Sequence, residues 1–198
     1  MNKEKNRWQR IVIHCSDSKW GNGFVINEWH KERGFRLIGY NEYINNGYPT
    51  SSWLKAKLKV KHLEAQAEVG RAIGPDVFCD PEECGAHVKG HNTGSYGICM
   101  IGWHEFSDAV LNKALDVVIF RLKQFGLEPN EDTVKGHYEF DSEKTCPNIN
   151  MNVFRSHLKN KTYYGKPVPK KEKKATGAMA LLTDMLSRLF NKGKQKCL

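Results

Sequence analysis

The first ten residues, Met1 to Arg10, contain no apolar run; they are polar and charged, which excludes a signal-peptide core or a membrane span at that end. The expectation is a chain that is made in, and at first stays in, a cytoplasm. Without export to an oxidising compartment, the six cysteines (Cys15, Cys79, Cys84, Cys99, Cys146, Cys197) are expected as thiols or metal ligands, with no structural disulfide. Cys79 and Cys84 flank Asp-Pro-Glu-Glu, but no second Cys/His pair stands beside them, so they read as reduced loop thiols. Acidic residues are scarce in one place: residues 166–198 hold nine Lys or Arg against two acids and so carry +7 of the formal net charge of +9. The rest of the chain is close to neutral, which removes the case for a nucleic-acid ligand that the total charge would otherwise make.

What is present suits one well-buried domain with an appendage: 198 residues, 39% hydrophobic and 27% charged. Arg10 to His14 is a β-branched run that reads as a buried strand delivering His14 at its end. A helix over Ile26 to Arg33, a strand at Tyr40 to Ile44 and another over Leu63 to Arg71 follow. Between them Asn45 to Pro49 is turn chemistry and Ser51 to Lys61 is ambiguous. Lys55, Lys57, Lys59 and Lys61 alternate there, as on the solvated face of an edge strand.

Tyr96 to Gly102 is nearly continuous in apolar residues, as in the middle of a covered sheet. Ser107 can cap a helix in which Leu111, Leu115, Val118, Leu122 and Phe125 recur at helical spacing, and Gly126 can end it. A short strand at Thr133 to His137, a loop ending Lys144-Thr145-Cys146-Pro147 and a helix at Asn152 to Lys159 complete the domain. This alternation predicts an α/β fold, a single mixed central β-sheet flanked by helices, over residues 1–165. A basic Pro/Lys-rich linker (166–177) and an amphipathic basic helix (178–198) are expected to follow, the helix with Met179, Leu182, Leu186 and Leu189 on one stripe.

A catalytic zinc ion takes three nitrogen, sulfur or oxygen ligands and keeps an open position, where water becomes acidic enough to supply hydroxide near neutral pH. His14, His137 and Cys146 form one such set, but eight His and six Cys allow many other triples by spacing alone.

Seven strings narrow the choice. Ile-Val-Ile-His-Cys-Ser (11–16), Trp-His-Lys-Glu-Arg-Gly-Phe (29–35), Gly-Tyr-Asn (39–41), Gly-Ala-His-Val-Lys-Gly-His-Asn (85–92), Ser-Tyr-Gly-Ile-Cys (95–99), Gly-His-Tyr-Glu (136–139) and Lys-Thr-Cys-Pro (144–147) occur in one order. Together they resemble the type 2 N-acetylmuramoyl-L-alanine amidases, the family of short phage lysis amidases and peptidoglycan recognition proteins, over about residues 10–155. The resemblance implies one zinc ion held by His14, His137 and Cys146, with Tyr40 and Lys144 as catalytic residues. It implies a peptidoglycan substrate, cut at the amide between the muramic acid lactyl group and L-alanine. The motif containing His87, His91 and Asn92 borders the family's substrate groove, which makes these three candidates for substrate contact, with structural hydrogen bonding as the alternative.

In these roles zinc polarises the amide carbonyl, Lys144 offers positive charge to the tetrahedral intermediate, and Tyr40 helps move a proton toward the leaving nitrogen. His30, on the first helix, reads as packing or capping. Asn41 departs from the second His of many relatives, and the stretch of roughly residues 48–63 is longer than in the shortest of them, which bears on stem-peptide preference. By family analogy such a chain acts from the host bacterial cytoplasm and reaches the wall after a holin permeabilises the membrane. The basic C-terminal helix fits contact with an anionic membrane or lipopolysaccharide. Some phage relatives also bind and inhibit the phage RNA polymerase. A wall-binding module without catalysis, which loses the Cys ligand, and a cytoplasmic muropeptide-recycling amidase are the rival readings.

Overall fold

Residues 6–166 are described by the computed structural model; the amphipathic helix and all but the first residue of the expected linker lie outside the described residues. β1 (Arg10–Cys15) sits inside the sheet, where all but its first residue are buried. It pairs in parallel on one side with β4 (Ser95–Met100) and on the other with β5 (Val134–Gly136). β2 (Glu42–Ile44) runs parallel to β4, and β3 (Ala67–Val69) closes that edge antiparallel to β2. The sheet order is β3-β2-β4-β1-β5, a mixed sheet as the sequence predicts.

Side-chain alternation divides the sheet into two faces. Ile11 and Ile13 of β1, and Tyr96, Ile98 and Met100 of β4, pack against α3 (Asp108–Phe125) and α4 (Met151–Asn160) in the larger core. The opposite face is covered in part by α1 (Gly23–Glu32), whose Ile26 meets Ile38, Tyr43, Cys99 and Ile101. His14, out of phase with Ile11 and Ile13, falls on this second face.

α3 begins and ends as expected: Ser107 Oγ accepts from Val110 N, and Gly126 takes the left-handed conformation that stops the helix. α1 starts earlier than the apolar spacing indicates, at Gly23, because Asn22 caps it by accepting from Val25 N at 3.0 Å. Phe24, 74% exposed, breaks the periodicity that would have revealed this first turn. Gly23 is needed for space: a Cβ there would lie 2.1 Å from the Tyr43 phenol, which Glu68 holds through a 2.6 Å hydrogen bond. Alanine ordinarily favours a helix over glycine, by about 1 kcal/mol. Here overpacking should win, and Gly23→Ala is expected to lower unfolding free energy by about 1–3 kcal/mol in a denaturant titration. A gain in stability would mean that Tyr43 moves aside freely.

Three local expectations need correction. Residues 51–61 form no lysine-bearing strand: Thr50 caps a short helix, α2 (Ser51–Lys55), and Lys57 then takes a positive φ of 54° that breaks any extended run. Lys59 turns to Glu64, at 2.7 Å. The strand expected over Leu63 to Arg71 shrinks to β3, because Ala65 (φ 60°) bends the chain just before it. Tyr40 precedes β2 instead of lying in it.

One buried polar network crosses the main core. Glu42 accepts from Tyr96 Oη at 2.8 Å and from Arg121 Nε and Nη2 at 3.1 and 2.9 Å, and the Arg121 guanidinium lies 5.0 Å from the Tyr96 ring centroid. At the end of the described chain, Asn112 exchanges hydrogen bonds with the backbone N–H and carbonyl of Tyr164. Among the described residues no helix is long and apolar enough to cross a membrane.

Candidate metal centre and groove

His14, next to last in β1 and 1% exposed, reaches the open part of the second sheet face. His137 follows β5 directly as the first residue of a single 3-10 turn. That turn is fastened twice. Glu139 accepts from Gly136 N at 2.7 Å, and both its oxygens accept from buried Arg155 Nη1 at 3.0 Å, which also reaches Val134 O at 3.1 Å. Gly136 permits a close approach, since a Cβ there would come within 2.9 Å of Met151 and Pro147. Tyr138 N then donates to Cys146 O at 2.9 Å, which ties the His137 turn to the loop that carries the cysteine.

The ligand atoms of His14, His137 and Cys146 all lie within 4.8 Å of one another, the one such cluster of His, Cys, Asp or Glu among the described residues. Cys146 Sγ is 3.8 Å from His14 Nδ1. Ligands at ordinary zinc bond lengths around a tetrahedron stand about 3.6 Å apart for a nitrogen–sulfur pair, so the two-nitrogen, one-sulfur donor set fits a zinc ion. Burial lowers the pKa of His14 well below its usual value, and burial with Lys144 nearby lowers that of His137. Both imidazoles are therefore neutral near pH 7 and can offer a lone pair. A shared hydrogen bond with the Cys15 thiol, and burial, push the Cys146 thiol up in the protein alone; Cys15 N–H also points at its sulfur, at 3.2 Å. A dication at the site would reverse that balance and favour the thiolate.

Tyr40 stands beside the cluster, its ring centroid 5.1 Å from that of His14. Burial raises the phenol's pKa well above normal, so it stays protonated and can donate a hydrogen bond. Its neighbours fix it: Gly39 N donates to His30 Nδ1 at 2.8 Å, and Asn41, fully buried, accepts from Gly97 N at 2.9 Å and donates to Glu83 O at 2.8 Å. His30 thus packs between Phe35 and Tyr40 and holds the Gly39 backbone, which fits the packing role expected of it and not a helix cap.

From the cluster a groove of about 520 Å³ opens, lined by His87, Asn92, His137, Lys144, Phe35 and Phe140 among others. Lys144 is exposed on its wall. Asn92 turns its side-chain oxygen inward and accepts from His87 N and Val88 N, both at 2.8 Å. His91 is exposed and lies against Phe140, ring centroids 5.1 Å apart. The structure therefore gathers His14, His137, Cys146, Tyr40, His87 and Lys144 at one place, with Asn92 on the groove wall and His91 at its margin.

A model of the N-acetylmuramoyl-L-alanine amidases matches residues 4–149. The chain belongs to that amidase family. The chain is 22% identical over 160 residues to the endolysin of Escherichia phage T7, a match that covers 75% of this chain and 86% of the relative. It is 28% identical over 102 residues to the endolysin of Klebsiella phage KP32, about half of each chain. Among solved structures, the amidase LysC from Clostridium intestinale aligns with a TM-score of 0.57 at 20% identity, covering 80% of this chain and 95% of that one. Drosophila PGRP-LB aligns at 0.51 and 18% identity, covering 85% and 89%. These likenesses show that the chain shares their fold.

Arg155 and its pairing with Glu139, which hold the His137 turn, are not among the features expected from the sequence. The signal was there: Met151, Phe154 and Leu158 mark the buried stripe of α4, and Arg155 falls inside it at helical spacing. A cation on an apolar stripe calls for a buried acceptor.

Proposed function

We propose that this chain is a zinc-dependent N-acetylmuramoyl-L-alanine amidase of the phage endolysin kind, which hydrolyses the amide between the muramic acid lactyl group and L-alanine of peptidoglycan and so lyses the host cell. The observation that carries this reading is the convergence of His14, His137 and Cys146 at the head of a groove walled by Lys144. A zinc ion held by these three residues supplies Lewis acidity to the amide carbonyl and a nucleophile from water at neutral pH.

The chain's own residues do the rest. Attack on the carbonyl carbon puts negative charge on its oxygen, and Lys144, on the groove wall, offers a positive partner at that moment. Tyr40, held protonated beside the cluster, donates a hydrogen bond and helps pass a proton to the L-alanine nitrogen as the carbon–nitrogen bond breaks. Retention of Cys146 favours this reading over a recognition module without catalysis.

The test is zinc content together with release of stem peptides from purified peptidoglycan, before and after chelation and on adding zinc back. One zinc per chain and reversible loss of cleavage support the proposal; tight wall binding without cleavage by the zinc-loaded protein would replace it with the recognition reading. Lys144→Met is expected to lower kcat by about 10²–10³ while zinc content stays the same. An unchanged kcat would remove Lys144 from the reaction.

A further inference from the structure

We propose that His87 is the positioning residue of the metal centre, fixing which nitrogen of His14 carries the proton and hence which one faces the metal. The inference rests on the reading of His14, His137 and Cys146 as the ligand set.

It starts from a carbonyl oxygen, which can only accept. His87 Nε2 lies 3.2 Å from Ser95 O and must therefore be the protonated nitrogen. In the neutral ring His87 Nδ1 is then an acceptor, and His14 Nε2, 2.9 Å away, must donate to it. His14 is left with its lone pair on Nδ1, the nitrogen that faces Cys146 Sγ. A neutral imidazole with no such partner divides between two tautomers and can turn about its side-chain bonds; one of the two tautomers presents an N–H where a ligand is needed.

Independent support comes from space. A Cβ on Gly97 would lie 2.6 Å from the His87 ring, and one on Gly85 would lie 2.4 Å from it. Neither glycine has a positive φ, so backbone conformation does not explain them. Their missing side chains form the slot that His87 occupies. The loop holds the residue from behind as well: Asn92 takes the N–H groups of His87 and Val88, and Ser95 Oγ donates to His91 O at 2.6 Å. Both His87 nitrogens are engaged within the protein, so the ring's contribution is directed at His14, with only an edge toward the groove.

The first measurement is two-bond ¹H–¹⁵N NMR on the full chain without metal, which assigns histidine tautomers and depends neither on zinc nor on cleavage. His87 and His14 are both expected in the Nε2–H form; His14 in the Nδ1–H form would overturn the proposal. The second is zinc affinity by chelator competition. His87→Ala is expected to weaken zinc binding by about 10–100-fold and to leave His14 as a tautomer mixture. Gly97→Ala, which keeps both histidines but presses a methyl group against the His87 ring, should act in the same direction. His87→Asn places an oxygen acceptor near the position of Nδ1 and should recover most of the affinity, a rescue that a merely space-filling role does not predict. Native affinity in His87→Ala, or no recovery in a folded His87→Asn, would defeat the proposal. If the native protein takes up no zinc, the ligand-set reading fails instead, and the tautomer measurement still decides whether His87 governs His14.

Discussion

Cys146→Ser is expected to end stem-peptide release, with a loss of at least about a thousandfold, and to lower zinc occupancy at the same time. Serine is close in size and keeps an acceptor for the Cys15 N–H, so the loop before Pro147 retains its packing. What it cannot supply is a soft thiolate. A hydroxyl loses its proton far less readily than a thiol, and as a neutral oxygen it is a poor zinc ligand beside two imidazoles. The measurement is zinc content by atomic absorption alongside the rate of release, with a thermal melt to show that the fold survives. A variant that keeps full zinc and cleaves as before would remove Cys146 from the ligand set.

The second large effect concerns stability. Arg121→Met should lower unfolding free energy by about 3–5 kcal/mol, because it strands the Glu42 carboxylate in the core beside Tyr96. Only 13% of the Arg121 side chain and 11% of the Glu42 side chain reach solvent, so water cannot replace the lost partner. Such a loss is a large part of the roughly 5–15 kcal/mol by which a domain of this kind is stable. The double variant Arg121→Met, Glu42→Gln is expected to lose less than the single one, since it removes the charge as well as its partner. Denaturant titration of both proteins decides the matter. A single-variant cost under about 1 kcal/mol would mean that water reaches Glu42.

The parts of this fold that were legible in the sequence are those where one periodicity ruled. β1 and β4 read correctly because both are buried on both faces and carry unbroken apolar runs. α3 read correctly because cap, stripe and stop agree. Residues 51–69 misled because alternating lysines imitate a strand, whereas a cap at Thr50 and positive φ angles at Lys57 and Ala65 govern the backbone. The candidate ligand set of His14, His137 and Cys146, which the structure brings together, could be picked out only through its ordered motifs, since spacing alone could not choose among eight histidines. The network of Glu42, Tyr96 and Arg121 was not legible: its members are far apart in sequence, and nothing local marks Glu42 as the acceptor. The roles of Gly85 and Gly97 required the positions of a ring that neither residue adjoins in the chain.

β1 is the first strand to leave the ribosome, yet β5, which flanks it, is the last. His14 and Cys146 stand 132 positions apart in the chain and meet only when that final strand docks in register beside the first. A nascent chain interrupted anywhere before Cys146 therefore lacks the sulfur of the cluster and, for most lengths, β5 and the turn after it that carries His137. Competence is withheld until translation of the domain is all but finished. Under the proposed reading as a lytic amidase, this topology acts as a timer: a fragment that ends before Cys146 would be inert, and only chains finished through that loop would act on the wall.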